Sequence, residues 1–461
     1  MRVAVVGAGI AGLSAAWELR RAGHEVIVLD GAERVGGKLL TGEVGGVRVD
    51  LGAESILARR PEAVGLIEAV GLADRLVHPA TTAAAVWTKG ALRPLPPTVL
   101  GIPADTRALA ASGIVERVET RSVPVPQEDV SVADFVAERA GREVVDRLVE
   151  PLLGGVYAGH ADALSLRAAA PQIAALGEDP VSAAVAARSV PAEDSPVFAG
   201  IAGGVGTLPE ALAAALTAPE VRGAGDEPRR DVPPAVIRTG CTVRLVEPHD
   251  EGWRLLAGAV GSVEAIEADA VVLATPAPAS ARLLAEAAPE AAFALAAVSY
   301  TSVALTTLVF EEALELPGSG FLVPPVDSRF VKAATFSSSK WSWVGESGHT
   351  VLRASVGRAG DQAALQVGDA EIVARVLADL TEAVGPLPQP AEAHVQRWGG
   401  ALPQYEVGHL DRVATVRRSV AGVPGLEVCG AAYDGVGIAA VVASAQEAVR
   451  RLTEGTRESF T

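Results

Sequence analysis

Gly7, Gly9 and Gly12 stand in the pattern G-x-G-x-x-G, with Ala8, Ile10 and Ala11 between them, and Asp30 follows about 20 residues on. These residue types at this spacing can hold a dinucleotide. Gly7 permits a tight turn out of a strand. Gly9 lets a pyrophosphate approach backbone that carries no Cβ, and Gly12 lets a helix pack closely on the strand. The start of that helix presents free N–H groups and a partial positive charge to the phosphates. Asp30 offers a carboxylate to both hydroxyls of an adenosine ribose and would repel a 2′-phosphate, so NADP is disfavoured. The elements that must position these groups are legible around them. Arg2–Val6 is a β-branched run, Leu13–Arg21 reads as a helix, and Glu25–Leu29 is a second strand. The competing reading is a glycine turn in a glycine-rich chain, 48 of 461 residues. Strand, helix, second strand and terminal acid in register outweigh it.

Other chemistries lack their residues. Cys241 and Cys429 are the two cysteines, far apart and without a C-x-x-C, so neither a disulfide framework nor a zinc site is indicated. Two reduced thiols in a cytoplasmic protein are the expectation. The seven histidines form no H-E-x-x-H, and there is no G-x-S-x-G. The formal net charge of −17 excludes a nucleic-acid-binding surface, and an anionic ligand would need a local basic pocket. Met1–Ala16 has the look of a signal peptide, but the strand–turn–helix grammar explains it better. Ala291–Phe310 is uncharged over the length of a membrane span. Its change near Val298-Ser299 from Ala-rich to β-branched instead predicts a buried helix end followed by a core strand, with a peripheral membrane contact left open.

Nucleotide-binding signals recur in the middle and at the end of the chain. Ile201 to Gly206 precede Thr207-Leu208-Pro209-Glu210, which reads as a capping box with Thr207 as N-cap and Glu210 reaching back. Thr242–Val246 and Trp253–Ala257 read as paired strands, and Ala270–Ala274 as a buried one. Leu426–Cys429, Gly430 and a helix from about Ala439 to Leu452 close the chain. Between these lie an Ala-rich, mostly helical stretch, about 80–200, containing the Pro-rich loop Leu92–Pro97, and a strand-rich stretch, about 295–395. Gly223–Pro234 reads as an exposed loop. Discontinuous nucleotide segments around inserted domains suit a flavin better than a contiguous NAD module.

Further motifs carry a resemblance. Arg34-Val35-Gly36-Gly37-Lys38 and Asp50-Leu51-Gly52-Ala53-Glu54-Ser55 resemble the second glycine motif and the next cofactor-contacting turn of amine-oxidase-like flavoproteins. Glu150 to Gly159 (EPLLGGVYAG), Trp398 with Pro403-Gln404-Tyr405 and Gly408-His409, and Gly430 to Ile438 (GAAYDGVGI) resemble stretches of the FAD-dependent protoporphyrinogen/coproporphyrinogen oxidases. The resemblance spans nearly the whole chain, and it implies an α/β fold. A discontinuous Rossmann-like FAD-binding domain (1–79, 201–294, 396–461) would carry a helical insertion facing substrate or membrane (80–200) and an α+β substrate domain (295–395). It also implies non-covalent FAD, oxidation of a porphyrinogen with O2 as acceptor and H2O2 as product, and a cytoplasmic place in haem biosynthesis beside the next-step enzyme. Coproporphyrinogen III is favoured over protoporphyrinogen IX.

The same resemblance assigns roles. Arg34, Gly37 and Lys38 would meet cofactor groups, against solvated charge as the competing reading for the two cations. Gly52, Ala53, Glu54 and Ser55 would form the second turn, and Val243 would touch adenine through its backbone. Trp398 would flank the flavin, unless it is core packing. Gly430 and the N–H groups of Val436, Gly437 and Ile438 would meet the flavin, with Ala431 standing where many flavoproteins have an acid. Cys429, in an apolar strand, reads as a buried thiol and not a flavin link. Arg59, Lys340 and Arg353, with Lys332 and Arg358, are candidates for substrate propionates, each against surface charge. Tyr157 and Tyr433 are candidates to face substrate, against core filling. No side chain stands out as a catalytic acid or base. The alternatives on the same scaffold are a flavin amine oxidase, a carotenoid desaturase, or a non-catalytic FAD- or NAD-binding protein.

Overall fold

In the computed structural model, which describes residues 1–188, 196–223, 227–259 and 261–458, a five-stranded parallel sheet gathers strands from three parts of the chain. These are β1 (Arg2–Val6), β2 (Glu25–Leu29), β3 (Val236–Arg238), β4 (Ala270–Leu273) and β5 (Leu426–Val428), in the order β3-β2-β1-β4-β5. Period-2 alternation explains their composition. Val3, Val5, Val26, Val28 and Val272 face one apolar cluster, while Ala4, Val6, Ile27, Leu29, Val271 and Leu273 face another. Both faces are covered, so the strands read as unbroken apolar runs. Charged residues stand at strand ends (Arg2, Glu25, Arg238), except for Glu427 in the middle of β5, which is buried and held by the guanidinium of Arg451 at 2.9 and 3.1 Å.

Two helices cover the first face: α1 (Ile10–Arg21) and α2 (Ile438–Glu458), which pack against each other. A Cβ on Gly12 would lie 1.8 Å from the Gly7 carbonyl oxygen, so α1 can sit this close to β1 only with glycine there. At the other end of α1, the buried Arg20 donates to the carbonyls of Ala215, Ala218 and Pro233 at 2.6 to 3.2 Å. It thereby closes the C-terminal end of the Thr207–Thr217 helix. The second face carries the antiparallel strands Val243–His249, Gly252–Ala259 and Ser262–Ala268 and the helices Ala277–Leu284, Pro289–Ala296 and His409–Ala421.

A seven-stranded mixed sheet forms the second layer system. It joins Ala84–Thr88 and Ala91–Pro94 to Tyr300–Phe310, Gly320–Leu322, Val331–Phe336, Thr350–Val356 and Glu392–Pro403. The helix Asp369–Val384 covers its back through Ile372, Val376 and Leu380. A helical lobe from Thr106 to Arg188 has its own core, with Phe135, Val145, Leu148 and Leu164 fully or almost fully buried.

Several readings of the sequence change here. The stretch from 80 is not helical at first. Residues 84–94 pair as strands of the seven-stranded sheet, and the Pro-rich run provides its last strand. The 395/396 boundary falls inside the Glu392–Pro403 strand, so Trp398 belongs to this sheet. Thr207 is no N-cap. Gly206 holds that position, and the Thr207 hydroxyl donates to the Gly204 carbonyl at 2.7 Å. The expected loop at 223–234 includes the strand Pro228–Arg229, paired with Val221–Arg222, and residues 224–226 of it lie outside the described residues. Ala291–Phe310 divides as expected into the end of the Pro289–Ala296 helix and the Tyr300–Phe310 strand. Among the described residues no helix is long and apolar enough to cross a membrane.

The packing of α1 yields a test. Gly12→Ala must force α1 off β1, because the obstructing atom is backbone. Overpacking of this kind costs roughly 1–3 kcal/mol. Chemical denaturation should show a loss in that range, and an unchanged midpoint would show that the close approach is not required.

Candidate functional site

The carboxyl ends of β1, β2, β4 and β5 open on one cavity of about 750 Å³. Its floor is the first glycine turn. Gly7 has φ +109°, and its N–H donates to the Leu29 carbonyl at 2.7 Å. Gly9, the N-cap of α1, has no heavy atom within 4 Å of where a Cβ would stand, and no acid or side-chain cap occupies that helix end. Gly7, Gly9, Ile10 and Ala11 line the cavity, whereas Ala8 and Gly12 stand behind it as packing. Asp30 lines it too. Its carboxylate also accepts the N–H groups of Ala8 at 2.5 Å and Ala32 at 2.7 Å, so it fastens the glycine turn to the end of β2. Each of its oxygens keeps acceptor capacity for a further donor.

The second turn closes over the first. Gly37, Lys38, Gly52, Ala53, Glu54 and Ser55 all line the cavity. A Cβ on Gly52 would lie 1.9 Å from the Lys38 carbonyl oxygen, which makes the two segments inseparable. Arg34 stays outside. Its guanidinium donates to the carbonyls of Val35 and Gly37 and lies 5.9 Å from the centre of the Trp398 ring, bracing the turn from behind. Trp398 lines the cavity, and its indole N–H donates to the Leu51 carbonyl at 3.0 Å. Val243 and Gly430, Val436, Gly437 and Ile438 complete this set, with no acid in the first turn of α2.

Glu54 is the electrostatic centre. Lys340 Nζ donates to it at 2.7 Å and to Ser55 Oγ at 2.9 Å; Arg353 donates to its other oxygen and, at 2.7 Å, to the Gly52 carbonyl. Burial alone would push the Glu54 carboxyl up. The charges and hydrogen bonds of Lys340 and Arg353 overcome this and hold it at about 2. Both cations are thereby committed, which corrects their expected role with substrate propionates. Arg59 is exposed and away from the cavity, and Arg358 donates to the Val323 carbonyl without lining it. Tyr157 and Tyr433, expected to face substrate, are buried in apolar clusters and do not line the cavity.

The sequence motifs around these tyrosines are clasps. Gln404 Nε2 donates to the Tyr157 carbonyl at 2.8 Å. The Tyr405 hydroxyl donates to the Ala431 carbonyl at 2.7 Å and accepts the Gly435 N–H at 2.8 Å. Cys429 is fully buried, and burial pushes its thiol up to about 12, so it offers no thiolate. Sequence reasoning did not assign Tyr300 or Arg282, which also line the cavity, and it ranked Lys332 only among the propionate candidates. No periodicity or motif marks the first two.

FAD fits this cradle. The open approach at Gly9, the uncapped start of α1 and the carboxylate at the end of β2 suit the adenosine diphosphate half. The second turn, Trp398 and the start of α2 surround the space that remains. The family model for flavin containing amine oxidoreductases matches residues 10–453. The chain belongs to this family and is an FAD-dependent oxidoreductase. Among its relatives, it is 36% identical to the coproporphyrinogen III oxidase of Mycobacterium tuberculosis, over 98% of this chain and 97% of that one. It is 30% identical to the coproporphyrinogen III oxidase of Bacillus subtilis, over 95% and 94%. A crystal structure described as a candidate protoporphyrinogen oxidase of Exiguobacterium sp. 255-15 superposes with a TM-score of 0.84 and 29% identity, covering 98% of this chain and 99% of that one.

Two substitutions separate cradle from clasp. Gly9→Ala adds a methyl group into open space, so stability should hold. FAD affinity should fall roughly tenfold or more, about 1.4 kcal/mol, as measured by flavin fluorescence quenching. Unchanged affinity would remove the pyrophosphate from this turn. Glu54→Gln leaves Lys340 and Arg353 without a carboxylate and should cost on the order of 3 kcal/mol at pH 7. The folded value of Glu54 lies below its ordinary 4.5, so its contribution is full above that pH and fades as pH falls toward 2. Denaturation curves should therefore converge for wild type and variant in acid, and a gap independent of pH would exclude the clasp.

Proposed function

We propose that this chain oxidises coproporphyrinogen III to the corresponding porphyrin, with O2 as electron acceptor and H2O2 as product. The observation that carries the reading is the likeness, over 98% of this chain, to a coproporphyrinogen III oxidase, together with a cavity that extends from the flavin cradle along the seven-stranded sheet. Lys38, Arg282 and Lys332 line it without an ion-paired carboxylate among the described residues; Lys38 and Arg282, which donates to the Val243 carbonyl, stand with the cofactor-contacting turns, and Lys332 stands on the seven-stranded sheet. The formal net charge is −17, so such unpaired cations gathered in one cavity suit an anionic ligand. Coproporphyrinogen carries four propionates and protoporphyrinogen two, so the more anionic substrate is favoured. The names of the Mycobacterium tuberculosis and Bacillus subtilis relatives agree with this choice. An amine substrate would enter as an ammonium ion against these charges, and a carotene would leave them unsatisfied.

FAD supplies the hydride acceptor for each two-electron step, and three steps give the porphyrin. In this reading Gly7, Gly9, Ile10, Ala11, Asp30 and Val243 hold the adenosine half. Gly37, Lys38, Gly52, Ala53, Trp398 and the backbone of Gly430 and Val436–Ile438 hold the remainder. Ala8, Gly12, Arg34, Glu54 and Ser55 shape the walls. The cofactor is non-covalent, since Cys429 is sealed inside the core. Residues 80–200 and the seven-stranded sheet form the substrate side. A cytoplasmic location accords with two free, buried cysteines. Contact with a membrane surface is supported by Leu57 and Phe198, paired across two strands and both 42% exposed. The porphyrin passes from there to the next enzyme of the haem pathway.

Anaerobic mixing of the FAD-loaded protein with each porphyrinogen tests the reading. Coproporphyrinogen III should bleach the visible flavin band, with protoporphyrinogen IX slower by tenfold or more, the effect of about one lost ion pair. Readmitted oxygen should restore the band with release of peroxide. No bleaching by either substrate would refute the proposal.

A further inference from the structure

Lys332 occupies an unusual place for a lysine. It lies on the Val331–Phe336 strand and is only 5% exposed. Ala334 and Phe336 of that strand face the apolar core behind the sheet, while Ala333 and Thr335 face the cavity. Strict alternation would bury Lys332 on the core side with Ala334. An irregularity in pairing between Val331 and Ala333 breaks the alternation, and Lys332 lines the cavity instead. Bulges of this kind re-aim side chains beside active sites. Among the described residues its Nζ makes one hydrogen bond, a long 3.3 Å to the Gly154 carbonyl of the Glu150–Tyr157 helix, and no carboxylate reaches it.

The charged groups on the surrounding elements do not compensate. Arg358, from the loop after the Thr350–Val356 strand, is the charge that bears on Lys332, and it is of like sign. Glu150 and Asp361 act on Arg358, and Glu150 also hydrogen-bonds His160 at 2.8 Å. Asp379, from the helix behind the sheet, accepts the Val331 N–H at 2.9 Å. Arg353, on the neighbouring strand, is held by Glu54. Burial, with Arg358 beside it, pushes the Lys332 amine down to about 7, well below the ordinary lysine value.

Resting on the substrate reading above, we propose that Lys332 is the proton acceptor of the reaction. In each two-electron step the meso C–H bond of the porphyrinogen breaks and its hydrogen leaves with the electron pair to the flavin. In two of the three steps the N–H bond of an adjoining pyrrole breaks, its proton passes to the Lys332 amine, and the electron pair left on nitrogen forms the new double bond; in the third the proton comes from the remaining meso CH2, whose bonding pair forms the last double bond, so that four C–H and two N–H bonds are lost in all. The macrocycle is oxidised by two electrons and the flavin reduced by two. The ammonium then returns its proton to solvent.

The test uses the FAD-loaded wild type, Lys332→Met and Lys332→Arg. Anaerobic flavin reduction by coproporphyrinogen III should slow about tenfold per pH unit below the amine pKa in the wild type. Lys332→Met should lose roughly 100-fold or more in the reduction rate constant together with that pH limb, and Lys332→Arg, which keeps the charge but cannot accept a proton, should not recover it. A second reading needs no turnover. In protein whose lysines are ¹³C-dimethylated, one resonance absent from Lys332→Met should titrate near pH 7. Full activity in Lys332→Arg, with weakened substrate binding alone in Lys332→Met, would make Lys332 a propionate anchor and overturn the proposal, as would a titration near the ordinary lysine value. Failure of the wild type to bleach at any pH would refute the substrate reading itself, and this assignment with it.

Discussion

Parallel pairing sets Val6 beside Leu29 on one side and Leu273 on the other, and Leu273 beside Val428. Everything at the site depends on this register. The chain leaves each of these strands at the same edge of the sheet, so a glycine turn, an acid, a proline-stopped loop and the Gly430 loop arrive together from positions more than 400 residues apart. Ligands bind at the carboxyl edge of open parallel sheets because the loops there are free to diverge. Because both faces of β1 are apolar, alternation alone does not fix this register; the strand ends do, through the Gly7 N–H on the Leu29 carbonyl at 2.7 Å and the Ala274 N–H on the Val6 carbonyl at 2.8 Å.

The cradle is completed by polar clasps that join distant segments. Glu54 binds the nucleotide side to the Ser337–Lys340 helix through Lys340 and to the Thr350–Val356 strand of the seven-stranded sheet through Arg353. Gln404 and Tyr405 bind that sheet to the helical lobe and to the Gly430–Ile438 loop. Buried charges cost desolvation, and here the return is position: the roof of the cavity cannot move from its floor without exposing an unpaired ion. Lys38, Arg282 and Lys332, without an ion-paired carboxylate among the described residues, face the same cavity.

The elements with strong local grammar were legible in the sequence. β1, α1 and β2 carry glycine punctuation and β-branched runs, and their boundaries follow from those residues. The strands at 84–94 were missed because alanine and proline there imitate a loop between helices, and only pairing with Gly320–Leu322 makes them strands. The capping box at Thr207 failed because Gly206 already adopts helical backbone, leaving the hydroxyl to bond backward to Gly204. Glycines and Asp30 were placed correctly at the cavity, since backbone demands leave few alternatives. Lys38, Glu54, Lys332 and Arg353 line it as well, but the partners of Lys340 and Arg353 were not legible, because Glu54 lies almost 300 residues away and no spacing rule reports such a partner. The motif tyrosines misled for a related reason: a residue can be specific to an architecture through the clasp it forms with no contact to the ligand.

The central claim is that three distant stretches of the chain grip one flavin together. Hydrogen–deuterium exchange, measured with and without FAD, tests it most directly. The account predicts that the cofactor slows exchange at the Gly7–Leu13 turn, across Gly36–Ser55 and along Gly430–Val441 at the same time. Protection confined to the first 40 residues would contradict it, for the nucleotide would then be held by the amino-terminal unit alone.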